Sequence, residues 1–266
     1  MYPAEYPVAA SDAGQPGRSL VVLPTYNERD NIQPIVAAVL SQGPEFDALI
    51  VDDNSPDGTG HIADRLATEN PGRVTVLHRA GKRGLGTAYI EGFVLALERG
   101  YQFIFEMDSD FSHEPADLPR LRQAVIDGAD VAVGSRWVGH GGTRNWSLLR
   151  TLISRGGSLY ARWILGVPVD DLTSGFKCFS SQVLERLDLQ SIRSNGYAFQ
   201  VEMNYRCHQQ GFRIAEVPIV FVDRRVGKSK MGAHIVAEAM LVVLGLRLQS
   251  LVGRQLSAPA KYSRIP

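Results

Sequence analysis

Several features that usually declare a function are missing from this sequence. Only two cysteines occur in 266 residues, Cys178 and Cys207. They fall in no C-x-x-C or Cys/His spacing, so a disulfide framework is excluded and a zinc site has no support. Both thiols read as reduced and part-buried. Long apolar runs are missing too: the longest, residues 239–246, is far short of the ~20 residues a spanning helix needs. Residues 1–18 hold Pro, Gly and acids but no apolar signal core, and read as a flexible leader. Net charge is absent as well, 28 Lys and Arg standing against 28 Asp and Glu. As an average, that argues against a nucleic-acid binder, whose footprint would be basic.

Common catalytic signatures also fail. Ala80-Gly-Lys-Arg-Gly84 lacks the spacing and hydroxyl of a phosphate-binding P-loop. Pro24-Thr-Tyr26 follows the first apolar run where a dinucleotide-binding fold would place glycines. No G-x-S-x-G elbow occurs, which removes the usual α/β hydrolase. Asn145-Trp-Ser147 fits a glycosylation sequon by chance. His61 and His113 stand in turn-rich surroundings and read as polar surface.

The zero charge is not uniform. From Arg224 onward eight Lys/Arg stand against one acid, Glu238, so residues 1–223 carry a deficit of seven. Composition is otherwise that of a globular chain, 44% hydrophobic and 21% charged. Short β-branched runs at 19–23, 48–51, 74–77, 102–107 and 130–134 alternate with helical stretches at 31–42, 59–70, 87–99 and 115–127. That alternation predicts a doubly wound, mostly parallel α/β sheet. The second half is less regular: helices are expected at 148–165 and 199–210, a late strand at 217–221, and an amphipathic or buried helix from 233 to 251.

In such sheets, ligands bind outside the carboxyl ends of the strands. Four strand ends carry acids or an arginine: Pro24-Thr-Tyr-Asn-Glu28, Val51-Asp52-Asp53, Asp108-Ser-Asp110 and Gly134-Ser-Arg136. Any one of them is equally explained as a cap or turn; four along one edge are not. Apart from Arg29 beside Glu28, no cation stands directly beside these acids in the sequence, so clustering them is costly without a metal or cationic ligand. Asp108 and Asp110 are hard oxygen donors suited to Mg²⁺ or Mn²⁺, an ion that substrate phosphates usually complete.

Together with Val51-Asp-Asp-Asn-Ser-Pro-Asp-Gly-Thr59, Gly84-Leu-Gly86, Asp171-Leu-Thr-Ser-Gly-Phe-Lys177 and Arg224-Arg-Val-Gly-Lys-Ser-Lys230, these motifs resemble the GT-A-fold glycosyltransferases of family 2. More narrowly they resemble the polyprenol (dolichyl) phosphate mannosyltransferases. The resemblance implies a GT-A domain over 19–232, followed by an amphipathic helix and basic tail over 233–266. It implies transfer of mannose from GDP-mannose to a polyprenyl phosphate, with inversion and with Mg²⁺ or Mn²⁺. Position by position, Pro24, Tyr26 and Glu28 would line the nucleotide pocket, and Val51 and Asp53 would face base and ribose. Asp108 and Asp110 would hold the metal, Ser109 would lie at the donor, and Arg136 would meet its phosphates or sugar. Arg224 and Lys230 would grip the acceptor phosphate. Some relatives carry Gln two residues past the acid pair; this chain has Ser112.

No His or Glu stands out as a base to activate the acceptor. A phosphate monoester needs none, since with a second pKa near 6 it is mostly a dianion at neutral pH. Arg224, Arg225, Lys228 and Lys230 would position and screen it. A lipid acceptor requires a bilayer, so the expectation is a peripheral protein at the cytoplasmic face of a membrane. Arg247, Arg254, Lys261 and Arg264 would meet anionic head groups, and a membrane-spanning partner protein is plausible. Another donor such as UDP-glucose, a nucleotidyltransferase and an idle scaffold remain the alternatives.

Overall fold

The computed structural model describes residues 17–223, 233–252 and 262–264. Its elements run β1 (Ser19–Thr25), α1 (Ile32–Leu40), β2 (Phe46–Asp52), α2 (Thr59–Glu69), β3 (Val74–His78), α3 (Leu85–Glu98), β4 (Phe103–Glu106), α4 (Leu118–Ile126) and β5 (Val131–Ser135). Then come β6 (Gly142–Arg144), α5 (Leu148–Leu165), β7 (Lys177–Ser180), α6 (Ser181–Arg186), α7 (Gly196–Gln209), β8 (Ile214–Pro218), β9 (Val220–Val222), α8 (Ala233–Val252) and β10 (Tyr262–Arg264).

Alternating side chains divide the core into two layers. Leu20 and Val22 of β1 point into one apolar cluster with α3, α5 and α7, and Val21 and Leu23 into the other with α1 and α4. Helices repeat the logic at their own period: Ile32, Ile35, Val36 and Val39 form the buried stripe of α1. Each such side chain contributes roughly 1.5–3 kcal/mol on burial. Close approach matters as well, since a Cβ on Gly92 of α3 would lie 2.5 Å from Val22 Cγ1.

The main sheet has the order β10-β8-β5-β7-β4-β1-β2-β3 and is parallel except for β7, which runs antiparallel between β4 and β5. β6 and β9 pair separately. The strand order reverses at β1, with β2 on one side and β4 on the other. A crevice outside the carboxyl ends opens at such a reversal, the place where α/β sheets take ligands.

Two expectations about strands are corrected. The late strand begins earlier, at Ile214, and the 217–221 stretch is shared between β8 and β9. Glu216 hid it: a fully buried acid interrupts the apolar pattern, held there by the N–H groups of Asp170 and Asp171 at 2.9 Å. β7 was missed because it opens on Lys177, whose ammonium is buried against Glu106 at 3.3 Å. β10 adds a parallel edge strand beyond β8. α8 packs on α5 and α7, burying Val243 while Met240, Leu241, Leu244 and Leu248 stay exposed. Among the described residues, no helix is long and apolar enough to cross a membrane.

Candidate active site

The loops after β1, β2 and β4 meet at the reversal and are stitched together by short polar side chains. Thr25 Oγ1 and Ser55 Oγ donate to Asp52 Oδ1 at 3.2 and 2.6 Å. Asn27 N–H donates to Ser55 Oγ, Glu28 N–H to Thr59 Oγ1, and Arg29 N–H to Asp57 Oδ2. Ser109 Oγ donates to the carbonyl of Pro24 at 3.0 Å, joining the β4 loop to the β1 strand end. Among the described residues four non-glycines adopt positive φ, and three of them, Asn27, Asn54 and Phe111, lie in these loops. Asn tolerates that conformation; a Phe in it costs on the order of 1–3 kcal/mol, strain of the kind that gathers at functional sites.

The residues named from the sequence fall into three groups. Tyr26 and Glu28 line the β1 loop, with Tyr26 exposed beneath the Lys82 ammonium at 4.3 Å from the ring centroid. Val51 is buried in β2, and Asp53 follows it. Asp53 does have a cation, contrary to the reading of its neighbours in sequence: Arg79 Nη1 donates to its Oδ1 at 2.6 Å. Burial still pushes the Asp53 pKa up, with Arg79 opposing it. Arg79 stands directly after β3, a strand end like the other four, and would have been found by inspecting that one too.

Asp108, Ser109 and Asp110 turn back on themselves. Ser112 N–H donates to Asp110 Oδ1 at 3.0 Å, and Asp108 N–H donates to His113 Nδ1 at 3.2 Å. His113 is therefore not the polar surface residue expected from its turn-rich surroundings. It is buried, stacked on Phe176 at 5.0 Å and met edge-on by Phe221 at 5.2 Å. Burial pushes its pKa down to about 3. The fully buried Tyr89 hydroxyl lies near the same carboxylates; burial first, then Asp108, Glu106 and Asp110, drive its pKa well above the usual value.

Arg136 is buried and its first partner is the protein itself. Nε and Nη2 donate to the two oxygens of Asp171 at 2.7 and 2.6 Å, and Nη2 also reaches Thr173 Oγ1. Burial works against the guanidinium's charge, but Asp171 outweighs it and raises the Arg136 pKa. Trp137, Trp146 and Phe221 each lie within 5.5 Å of the guanidinium carbon, measured to the ring centroid. The Gly84-Leu-Gly86 motif opens α3: Gly84 has φ +102°, and a Cβ on Gly86 would sit 2.7 Å from the Ser194 carbonyl. Arg224, Arg225, Lys228 and Lys230 lie outside the described residues, as do Arg254 and Lys261. Cys178 and Cys207 are buried free thiols, as their spacing indicated.

Among the described residues, no group of three or more His, Cys, Asp or Glu is placed to hold a metal. Asp108 and Asp110 nonetheless fit a hard divalent ion of the kind bound by one or two carboxylates, with substrate phosphates and water completing the shell.

Comparison with known proteins identifies the family and the fold. Residues 20–188 match glycosyl transferase family 2. The chain is 47% identical over 226 residues to the polyprenol monophosphomannose synthase of Mycolicibacterium smegmatis, covering 85% of each. It is 49% identical over 226 residues to the undecaprenyl-phosphate mannosyltransferase of Micrococcus luteus, covering 85% of this chain and 92% of that one. Among solved structures, a Pyrobaculum calidifontis mannosyltransferase in complex with GDP-Man and Mn²⁺ superposes with a TM-score of 0.58 at 18% identity, over 94% of this chain and 68% of that one. Glucosyl-3-phosphoglycerate synthase from Mycobacterium tuberculosis gives 0.60 at 16% identity, over 93% and 88%. At those identities the likeness is one of fold, and that fold is the GT-A glycosyltransferase fold. The chain belongs to glycosyltransferase family 2.

Proposed function

We propose that the protein transfers mannose from GDP-mannose to a polyprenyl phosphate, inverting the anomeric carbon and releasing GDP. The observation that carries this reading is the placement of Asp108 and Asp110 at the strand-order reversal, bridged to the β1 loop by Ser109. The relatives from Mycolicibacterium and Micrococcus, named for mannosyl transfer to polyprenyl phosphates, support the choice of sugar and acceptor.

Tyr26, Glu28 and Asp53 form the ledge for the nucleoside, over the core-buried Val51, with Arg79 holding Asp53 in place. Asp108 and Asp110 would hold Mg²⁺ or Mn²⁺, which when bound neutralises the diphosphate as the sugar–oxygen bond breaks. Arg136 adds fixed positive charge, oriented by Asp171, beside Trp137, Trp146 and Phe221. The acceptor dianion needs no general base, only positioning and screening by the cations from Arg224 to Lys230. Those residues begin immediately after Asp223, whose N–H donates to the Arg144 carbonyl and so ties the end of β9 to β6.

A lipid acceptor also calls for a lipid-facing surface. Ten of the thirteen exposed large apolar side chains among the described residues lie on α5 and α8. On α5, Leu148, Leu152, Leu159 and Trp163 recur at helical spacing along one side, and the helix carries Arg150, Arg155 and Arg162 but no acid. Arg150 and Arg162 are paired with Asp223 and Asp170, so the apolar residues carry this reading, with Arg155 adding about 1 kcal/mol at an anionic interface.

Incubating the protein with GDP-mannose, UDP-glucose and other nucleotide sugars, Mn²⁺ and undecaprenyl phosphate, followed by mass spectrometry of the lipid, tests the reaction. Mannosylated lipid phosphate from GDP-mannose alone is expected. Transfer to a simple sugar hydroxyl with none to the lipid phosphate would overturn the reading. Flotation with liposomes, with and without anionic lipid, tests the surface; Leu152→Glu with Leu241→Glu should abolish it.

A further inference from the structure

The loop holding the two metal-directed carboxylates is organised around one buried side chain. His113 is 1% exposed, and its Nδ1 accepts the N–H of Asp108 at 3.2 Å while lying 3.9 Å from Asp108 Oδ2. An acceptor at Nδ1 places the ring proton on Nε2 in the neutral imidazole. The ring is clamped on one face by Phe176, in the loop entering β7, and edge-on by Phe221 of β9. β9 is fastened to the same loop a second time, since Val222 N–H donates to the Ser112 carbonyl at 3.2 Å. Between these fastenings Phe111 is held at φ 61°, so the turn keeps a costly conformation only because its neighbours fix it.

We infer that His113 is a positioning residue: through its hydrogen bond to the Asp108 main chain and its packing on Phe221, it sets the metal-binding carboxylates and the end of β9 in one register. The inference rests on the reading of Asp108 and Asp110 as metal ligands. Mannosyl transfer brings a donor held at one place to an acceptor held at another, and the reacting atoms must meet within a fraction of an ångström. Here one imidazole contacts both the donor-side loop and the strand that leads to Arg224. Its polar atom serves the acid pair and its ring faces serve β9, so the two contributions can be removed separately.

His113→Phe keeps a ring for Phe176 and Phe221 and loses the acceptor. His113→Asn keeps an acceptor near the Nδ1 position and loses the ring. Mn²⁺ uptake in the presence of GDP, followed by the electron paramagnetic resonance of free Mn²⁺, reads the polar contribution. Thermal unfolding in EDTA reads the packing. His113→Phe should weaken Mn²⁺ binding about ten- to a hundredfold, the usual cost of losing a group that orients a ligand, and raise the donor KM with it. His113→Asn should melt lower yet bind Mn²⁺ within about threefold of wild type. Equal Mn²⁺ binding by wild type and the Phe variant, or weaker binding by Asn than by Phe, would overturn the inference. Wild-type protein that takes up no Mn²⁺ with GDP would overturn the metal reading and this inference with it. Nitrogen-15 spectra of wild-type imidazoles give a check that needs no variant: His113 should carry its proton on Nε2, and a proton on Nδ1 would sink the proposal.

Discussion

At the amino end of β2, Asp47 is closed by its own protein: Arg18 and Arg73 both form ion pairs with it, and the Tyr101 hydroxyl donates to Oδ2 at 2.9 Å. At the carboxyl end of β4, Asp108 and Asp110 are organised by neutral groups, an imidazole nitrogen accepting from one main chain and a main-chain N–H donating to the other carboxylate. Both sets of acids sit at strand termini of one sheet. Arg18, Arg73 and Tyr101 make Asp47 a fastening among the starts of β1, β2 and β3 and the α3–β4 turn. The imidazole and main-chain hydrogen bonds help fix the geometry of Asp108 and Asp110, and two carboxylates held close at a strand end suit a cationic ligand. Arg136–Asp171 stands between the two cases, a neutralised pair built into the active end.

The largest effect should come from Asp110→Asn. With Asp110 holding the metal as proposed, its loss would remove several kcal/mol of charge stabilisation from the departing diphosphate, so turnover should fall at least about a hundredfold. Thermal unfolding without metal should be unchanged or higher, because one negative charge of a close pair is gone. A variant that loses stability in proportion to activity would erase the contrast with Asp47.

Arg136→Ala should strike both quantities. It strands the buried Asp171 carboxylate, and breaking a buried pair from one side costs about 3–5 kcal/mol. Denaturant unfolding would show it as a lower midpoint, with turnover falling as well. Arg136→Lys should recover part of the stability and little of the activity, since an ammonium cannot make the bidentate contact.

Asp47→Asn should move stability alone. Arg18 and Arg73 are 27% and 30% exposed at their side chains, so water softens the loss to about 2 kcal/mol. kcat and both KM values should match wild type. A drop in kcat would mean that the far end of the sheet is coupled to the site, and the two-end comparison would fail.

The parallel half of the fold, β1 to β5 with its helices, was legible because apolar runs and helical stripes there follow their periods without interruption. β7 and β8 were not, because each buries a charge, Lys177 and Glu216, whose partners Glu106, Asp170 and Asp171 are far away in sequence. The same physics governed the site. Asp108, Asp110, Asp53 and Arg79 could be read from position after a strand, whereas the pairing of Arg79 with Asp53 and the place of His113 rest on contacts that only the folded chain creates. The interior cost of a charge or an imidazole says that a partner must exist; the sequence does not say which.

The smallest effect concerns Asp57, four residues past Asp53 in the β2 loop. Burial acts to raise its pKa, but hydrogen bonds from the Thr59 hydroxyl, the Thr59 N–H and the Arg29 N–H outweigh that and hold it below its ordinary value. A carboxyl depressed in the folded state contributes stability that is complete above its unfolded pKa, and that contribution disappears as pH falls through the folded one. Thermal melts between about pH 5 and pH 3 should therefore show an acid-side loss that Asp57→Asn flattens slightly, the variant melting a little lower at neutral pH and converging on wild type in acid. Asp53 is shifted the other way by its burial, so the two carboxyls of one loop report opposite signs. An Asp57→Asn variant with an unaltered acid-side slope would show that these hydrogen bonds do not lower the Asp57 pKa in solution.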